Sequence, residues 1–262
     1  MKIEKCKICG GTSNHIFSSE LMDKYTVNYF LCDGCDFLYT QEPFWLKDAY
    51  MSPINLTDTG LLSRNIYYSR IVSSILYFAL GGGGRYLDYA GGYGVFVRLM
   101  RDAGFDYYWH DPFSQNILAR GFEYDRASMK IDAVTAFEAF EHFADPLAEI
   151  EKMLEISKNI FFSTQLLPKP VPAPEKWWYY GLEHGQHVSF YSAATLEYIA
   201  KKYGLNFYTN FSDFHFFTEK KLNSFFVKFL IRFSRYIFEL IVKRKMTSLT
   251  YSDLSLLNVK NK

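Results

Sequence analysis

Four cysteines, one glycine-rich turn and three of the six histidines carry the chemistry legible in this 262-residue chain. Cys6-Lys7-Ile8-Cys9 and Cys32-Asp33-Gly34-Cys35 are two CxxC pairs with residues 10–31 between them. A CxxC turn sets two thiolates on one side of a tight knuckle, and two knuckles complete a tetrahedral, all-thiolate zinc site. Such a site keeps no open coordination position, so its expected role is structural. A second pattern is Asp88-Tyr89-Ala90-Gly91-Gly92-Tyr93-Gly94, between an expected strand and an expected helix. Glycines there let the backbone approach a ligand, and the helix N-terminus favours an anion or a carboxylate. Asp111 follows at the end of the next expected strand, where an acid can accept hydrogen bonds from both hydroxyls of a ribose.

These residues need elements to position them. Residues 1–45 read as a zinc ribbon, with strands around His15-Ile16-Phe17 and from Tyr25 to Leu31. Residues 46–83 read as a helical connector, stopped by Gly81-Gly82-Gly83-Gly84. Short apolar runs at 85–90, 107–109, 133–137, 159–163 and 205–209 alternate with helical spacings at 95–103, 146–155 and 195–202. That alternation predicts an α/β, doubly wound parallel sheet over residues 84–221. The loop from Gln165 to Tyr191 carries Pro168, Pro170, Pro172 and Pro174, then Trp177-Trp178-Tyr179-Tyr180, read as a lid or substrate wall. Residues 222–262 read as an amphipathic helix over 222–246 and a polar, mobile tail. In that helix Lys228, Arg232, Arg235 and Glu239 fall on one narrow stripe and the remainder is apolar. It is expected to dock on a membrane surface or a second copy, with Lys243-Arg244-Lys245 suited to anionic headgroups.

Composition narrows the classes. Lys+Arg number 29 and Asp+Glu 28, a net charge of +1 that argues against a nucleic-acid partner. The N-terminus lacks the apolar run of a signal peptide, so the expected compartment is the cytoplasm, with peripheral attachment to the inner membrane face through the C-terminal helix. There a four-cysteine set points to metal rather than to disulfides.

D-Y-A-G-G-Y-G resembles motif I of the class I S-adenosylmethionine-dependent methyltransferases, written D-x-G-x-G-x-G, with Ala90 in place of the first glycine. The stretch Thr135 to His142 with Asp145-Pro146 resembles the fourth-strand segment of that superfamily. Glu183 to Ser192, with Leu196 and Tyr203-Gly204, resembles a subgroup of bacterial surface-glycan pathways, and a CxxC…CxxC module ahead of such a domain resembles the arrangement in sugar C-methyltransferases. The resemblance implies a Rossmann-like class I methyltransferase sheet and S-adenosylmethionine as cofactor. It implies that Asp88 places the cofactor's methionine ammonium, that Ala90, Gly92 and Gly94 make room, that Asp111 holds the ribose and that Phe137 lines the cofactor. For the adenine, Asp125 and Ser128 both stand open. Glu138, Glu141 and His142 form E-x-x-E-H, similar to the magnesium-binding set of ubiquinone-type O-methyltransferases.

Methyl transfer from a sulfonium is an in-line displacement whose leaving group departs neutral, so the enzyme aligns three atoms and removes a proton from the nucleophile. Imidazole suits that base, and the candidates are His187 first, then His142 and His184. The expected activity is methylation, preferably at oxygen, of a small-molecule acceptor such as a nucleotide- or lipid-linked sugar of a surface-glycan pathway. The alternatives are a lipid-like or quinone-like acceptor with divalent-metal assistance, and a non-catalytic scaffold that retains the fold.

Overall fold

The computed structural model describes residues 3–51 and 58–260. Residues 1–2, 52–57 and 261–262, at the ends of the expected ribbon and tail and within the expected connector, lie outside the described residues. In chain order the strands are β1 (Ile3–Lys5), β2 (Thr12–Leu21), β3 (Tyr25–Cys32), β4 (Leu38–Thr40), β5 (Arg85–Asp88), β6 (Asp106–Trp109), β7 (Ala133–Ala136), β8 (Ile160–Ser163), β9 (Ser189–Phe190), β10 (Asn206–Thr209) and β11 (Phe214–Thr218). The helices are α1 (Leu46–Ala49), α2 (Leu61–Ala79), α3 (Val95–Asp102), α4 (Pro146–Ile156), α5 (Ala193–Lys202), α6 (Ser224–Arg232), α7 (Ser234–Ile237), α8 (Lys243–Lys245) and α9 (Thr250–Lys260). Two compact units form, one from Met1–Leu56, Phe137–Glu155 and Phe162–Glu219, the other from Thr57–Ala136, Ile156–Phe161 and Lys220–Lys262.

The first unit contains the antiparallel sheet β1-β2-β3-β4-β9. Its last member was not expected. Leu38 pairs with Phe190 and Tyr39 with Ser189, so the sheet of the cysteine module is extended by a strand about 150 residues further on. The physical reason is edge protection: β4 would otherwise leave a row of unpaired amides at a face lined by Tyr29, Leu38 and Trp45. The hydroxyl of Thr195, in the first turn of α5, also donates to the Cys35 carbonyl at 2.7 Å. The 1–45 module is therefore not a free-standing piece. The core beneath this sheet also takes Tyr179 and Tyr180, which are 2% and 0% exposed. Those two rings are packing, not a lid; within the aromatic block Trp177 is half-buried and Trp178 is 76% exposed.

In the second unit, β5 lies between β6 and β7, both parallel to it. The register pairs Asp88 with Trp109 on one side and with Thr135 on the other. Three side chains thus arrive at the same level at the carboxyl end of the strands, where open α/β sheets bind ligands. Tyr86-Leu87-Asp88 and Ala133–Ala136 are unbroken buried runs rather than alternating ones, the pattern of parallel strands covered on both faces. The six-stranded sheet has the order β10-β11-β8-β7-β5-β6, of which β10 and β11 belong to the first unit. It is mixed, not purely parallel as expected, because β10 and β11 form an antiparallel hairpin. Asn210 builds its turn: its side-chain oxygen accepts from the amides of Ser212, Asp213 and Phe214 at 2.9–3.0 Å.

The C-terminal segment departs from expectation twice. Residues 222–246 are not one helix. Asn223 caps α6, the chain bends at Phe233, and a wider π turn runs over Phe238–Val242. The buried positions explain the wide turn. Val227, Leu230, Ile231, Ser234 and Ile237 recur at spacings of three and four, and the extra residue brings Val242 to the same face. That face packs on α2. Residues 250–260 are not a mobile tail either but α9, tied down through Asp253. Among the described residues no helix is long and apolar enough to cross a membrane.

Candidate functional site

The four cysteine sulfurs converge within 4.8 Å of one another. Cys6 and Cys35 are 3.6 Å apart, Cys9 and Cys32 3.3 Å, and none is in a disulfide. Ideal Zn–S bonds of about 2.3 Å would space tetrahedral sulfurs at about 3.8 Å, so the cluster fits such an ion with little adjustment. Backbone amides point at the sulfurs, Ile8 to Cys6, Gly11 to Cys9 and Gly34 to Cys32, at 3.3–3.4 Å. Those donors favour thiolate over thiol. A side chain at Gly11 would stand 3.3 Å from the Cys9 sulfur, which is why the knuckle is closed by glycine.

The glycine turn is built wholly within the second unit. Asp88 is 3% exposed, and its Oδ1 accepts from the Thr135 hydroxyl at 2.8 Å. Burial pushes this carboxyl up to about 7; the Thr135 bond opposes the rise and the nearby Asp111 charge adds to it. The chain then turns back: the Gly91 amide donates to the His110 carbonyl, and the Gly94 amide to that of Gly91. Gly94 takes φ +84°, the left-handed geometry that starts α3. Asp111 clasps the turn. Its Oδ2 accepts from the Gly92 amide at 2.9 Å and its Oδ1 from those of Phe113 and Ser114 at 2.8 and 2.9 Å. Trp109, overlooked in the sequence, locks the other side by donating its indole N–H to the Gly92 carbonyl at 2.9 Å. A side chain on Gly91 would lie 2.5 Å from the Trp109 ring. The available signals for these two unrecognised residues were their positions: Trp109 at the end of the strand before His110-Asp111, Thr135 at the end of the next one.

Asp125 and Ser128 share one exposed turn. The Ser128 hydroxyl donates to Asp125 Oδ2 at 2.7 Å and the Ala127 amide to Oδ1 at 3.0 Å, an exposed turn closed on itself. Phe137 belongs to the first unit, where its ring pairs with Phe214 at 6.3 Å.

The three candidate histidines gather in the first unit. The rings of His142 and His187 are 4.9 Å apart, and those of His184 and His187 4.8 Å. Each is fixed by backbone. His187 Nδ1 faces the Tyr179 carbonyl at 2.6 Å, and His142 Nδ1 faces the Gln186 carbonyl at 3.2 Å and the Tyr50 hydroxyl at 3.0 Å. A carbonyl only accepts, so in both rings Nδ1 carries the proton and Nε2 the lone pair. His184 is the reverse: its Nδ1 accepts from the Gln186 amide at 3.1 Å. Burial holds His142 down to about 4 and His187 well below the ordinary imidazole range, with the neighbouring imidazoles acting in the same direction. Burial lowers His184 as well, so in all three it favours the neutral ring. Glu141, 1% exposed, joins this group, and one ligand atom from each of Glu141, His142 and His187 lies within 4.8 Å of the others. Glu138 is directed elsewhere, with its carboxylate accepting from the Ser163 hydroxyl at 2.7 Å.

A family model described as a methyltransferase domain matches residues 64–210. No curated protein sequence matches the chain. Among solved structures, the plantazolicin methyltransferase BpumL, in complex with a monoazolic desmethylPZN analog and SAH, is similar with a TM-score of 0.50 and 12% identity, over 78% of this chain and 88% of that one. CalO1, a methyltransferase in calicheamicin biosynthesis, in its SAH-bound form, matches with a TM-score of 0.42 and 15% identity over 66% of this chain and 61% of that one. The mitomycin 7-O-methyltransferase MmcR matches with a TM-score of 0.41 and 13% identity over 66% and 59%.

Proposed function

The chain belongs to the methyltransferase-domain family, and from that premise we propose that it transfers the methyl group of S-adenosylmethionine to an oxygen of a small-molecule acceptor, a nucleotide- or lipid-linked sugar. The observation that carries the reading is the clasped turn: a buried Asp88 at a strand end, followed by a glycine loop held in shape by Asp111 and Trp109. A carboxyl poised near neutrality by burial gains most from a cationic partner, and the cofactor's methionine ammonium is such a partner. In this reading Ala90, Gly92 and Gly94 give the cofactor room, Asp111 offers its remaining acceptor capacity to the ribose, and Phe137 lines the cofactor. The four-cysteine cluster holds a structural zinc ion.

Deprotonation of the acceptor is assigned to the histidine cluster, His187 foremost, with His142 and His184. In His187 and His142 Nε2 is the unprotonated nitrogen, the state a proton acceptor requires, whereas the His184 lone pair is taken by the Gln186 amide and would have to be released first. The lipid-linked form of the acceptor draws support from α6, α7 and the residue between them, where Phe225, Phe229, Phe233 and Tyr236 stand 44–86% exposed beside Arg232 and Arg235. Aromatic rings interleaved with cations suit a membrane surface. The test is transfer of labelled methyl from S-adenosylmethionine to a panel of nucleotide sugars, lipid-linked sugars, quinols and peptides. Label in a sugar hydroxyl ether is expected. Label confined to quinols or peptides overturns the acceptor class.

A further inference from the structure

Glu141, His142 and His187 form a second metal site: we propose that they bind a divalent first-row transition ion, distinct from the ion of the cysteine cluster. Glu141 and His142 leave the chain in the turn Phe140–His142, and His187 comes from the loop before β9. Two hydrogen bonds bring these segments together. The Val188 amide donates to the Glu141 carbonyl at 2.8 Å, and the Ser189 hydroxyl to the Phe143 carbonyl at 2.6 Å. A ligand set whose members come from separate segments needs such a fixed backbone, because metal geometry tolerates only small errors in ligand position.

The orientation of the rings matches the outer shell of metal-bound histidines. Such residues turn one ring nitrogen to a carbonyl or carboxylate and present the other to the ion. Here His187 and His142 turn Nδ1 to the Tyr179 and Gln186 carbonyls, which leaves both Nε2 atoms as the donors. Gln186 is itself held, its side-chain amide donating to the Ala49 carbonyl at 2.9 Å. The donor set also selects the ion. Magnesium and calcium prefer oxygen ligands and keep water, whereas two imidazoles and one carboxylate suit zinc, cobalt, nickel or ferrous iron. This differs from the E-x-x-E-H set, since Glu138 is bonded to Ser163 and is not in the group. Three protein ligands leave coordination positions for a hydroxyl or water, so a bound ion would lower the pKa of an acceptor hydroxyl. That role rests on the methyl-transfer reading: His187 and His142 take the proton themselves in the ion-free chain and would act as ligands where an ion is bound. Metal binding as such does not depend on that reading.

The test is cobalt(II) titration of the metal-stripped full chain without any cofactor or acceptor. The expected result is two equivalents bound. The first gives the intense thiolate-to-cobalt absorption of the cysteine site, the second only weak visible bands of nitrogen and oxygen ligation. Excess magnesium leaves both unchanged. In Glu141→Gln and His187→Gln the second equivalent binds at least about 10-fold more weakly while the thiolate band is retained. Binding of one equivalent only, or a second that neither variant weakens, overturns the proposal. If a variant also loses the thiolate band it has failed to fold. Pulsed electron paramagnetic resonance of copper(II), added to wild-type chain whose cysteine site is filled with zinc, then decides: coupling to two imidazole nitrogens is expected, and its absence contradicts the site.

Discussion

Gly91→Ala is expected to weaken S-adenosylhomocysteine binding by roughly 10- to 100-fold, which corresponds to about 1.4–2.8 kcal/mol. The added methyl would stand 2.5 Å from Cδ1 and 2.8 Å from Nε1 of Trp109. Those atoms belong to a rigid ring, so the indole as a whole must move. Its bond to the Gly92 carbonyl is lost with that movement, and the loop that Asp111 clasps from the other side loses its second anchor. Gly92→Ala is the comparison. Gly92 has φ +49°, and no protein atom lies within 4 Å of its would-be side chain. Within the chain that variant meets only the backbone strain of a left-handed residue, about 1–2 kcal/mol, and any loss of binding beyond that reports the room Gly92 gives the cofactor. Calorimetric titration of both variants checks the contrast. Equal binding by Gly91→Ala and wild type would mean that the Trp109 clasp does not shape the cofactor site.

The second large effect lies away from any ligand. Asp253→Ala is expected to destabilise the chain by about 3–5 kcal/mol, the range for removing one partner of a buried ion pair. Arg101 is 4% exposed and donates twice to Asp253, at 2.7 and 2.8 Å. Its remaining bonds go to Asp106 and the Tyr107 carbonyl. Without Asp253 the guanidinium stays buried with one carboxylate where it had two, and Arg98 loses a partner as well. Denaturant unfolding measures the loss. Replacing Arg101 and Asp253 together by methionine and leucine should cost less than Asp253→Ala alone, because no stranded charge remains. Acid should act like the single variant. Burial alone would raise the Asp253 pKa, but the bonds from Arg101 and Arg98 outweigh it and the net shift is downward. A depressed folded-state pKa contributes stability above the unfolded value and loses it as pH falls through the folded one. A variant as stable as wild type would show that α9 adds nothing to the fold.

The contrast between these two sites shows what local sequence can reveal. The cysteine knuckles and the strand–glycine–helix turn are written in contiguous residues, and the side chains that pattern singles out, Asp88 and Asp111, do meet at one turn. Trp109 is marked in the sequence only by its place at a strand end before His110-Asp111; its role follows from strand register, which pairs it with Asp88. Likewise β9 is two residues long and carries no signal of its own, yet it completes a sheet whose other strands end at Thr40. The wide turn at Phe238–Val242 answers to packing on α2, and α9 answers to one buried arginine, so both depend on contacts that no helical period encodes. Tyr179 and Tyr180 run in the opposite direction: an aromatic block in a proline-rich loop suggests a binding surface, and the surrounding strands bury these two of its four rings.

The most direct test of the account is calorimetric titration of the purified, zinc-loaded chain with S-adenosylmethionine and S-adenosylhomocysteine, with NAD as the control. Micromolar binding of both sulfur compounds at one site per chain, and none of NAD, is the predicted result. Binding of neither sulfur compound by folded protein, or binding of NAD in their place, would contradict it.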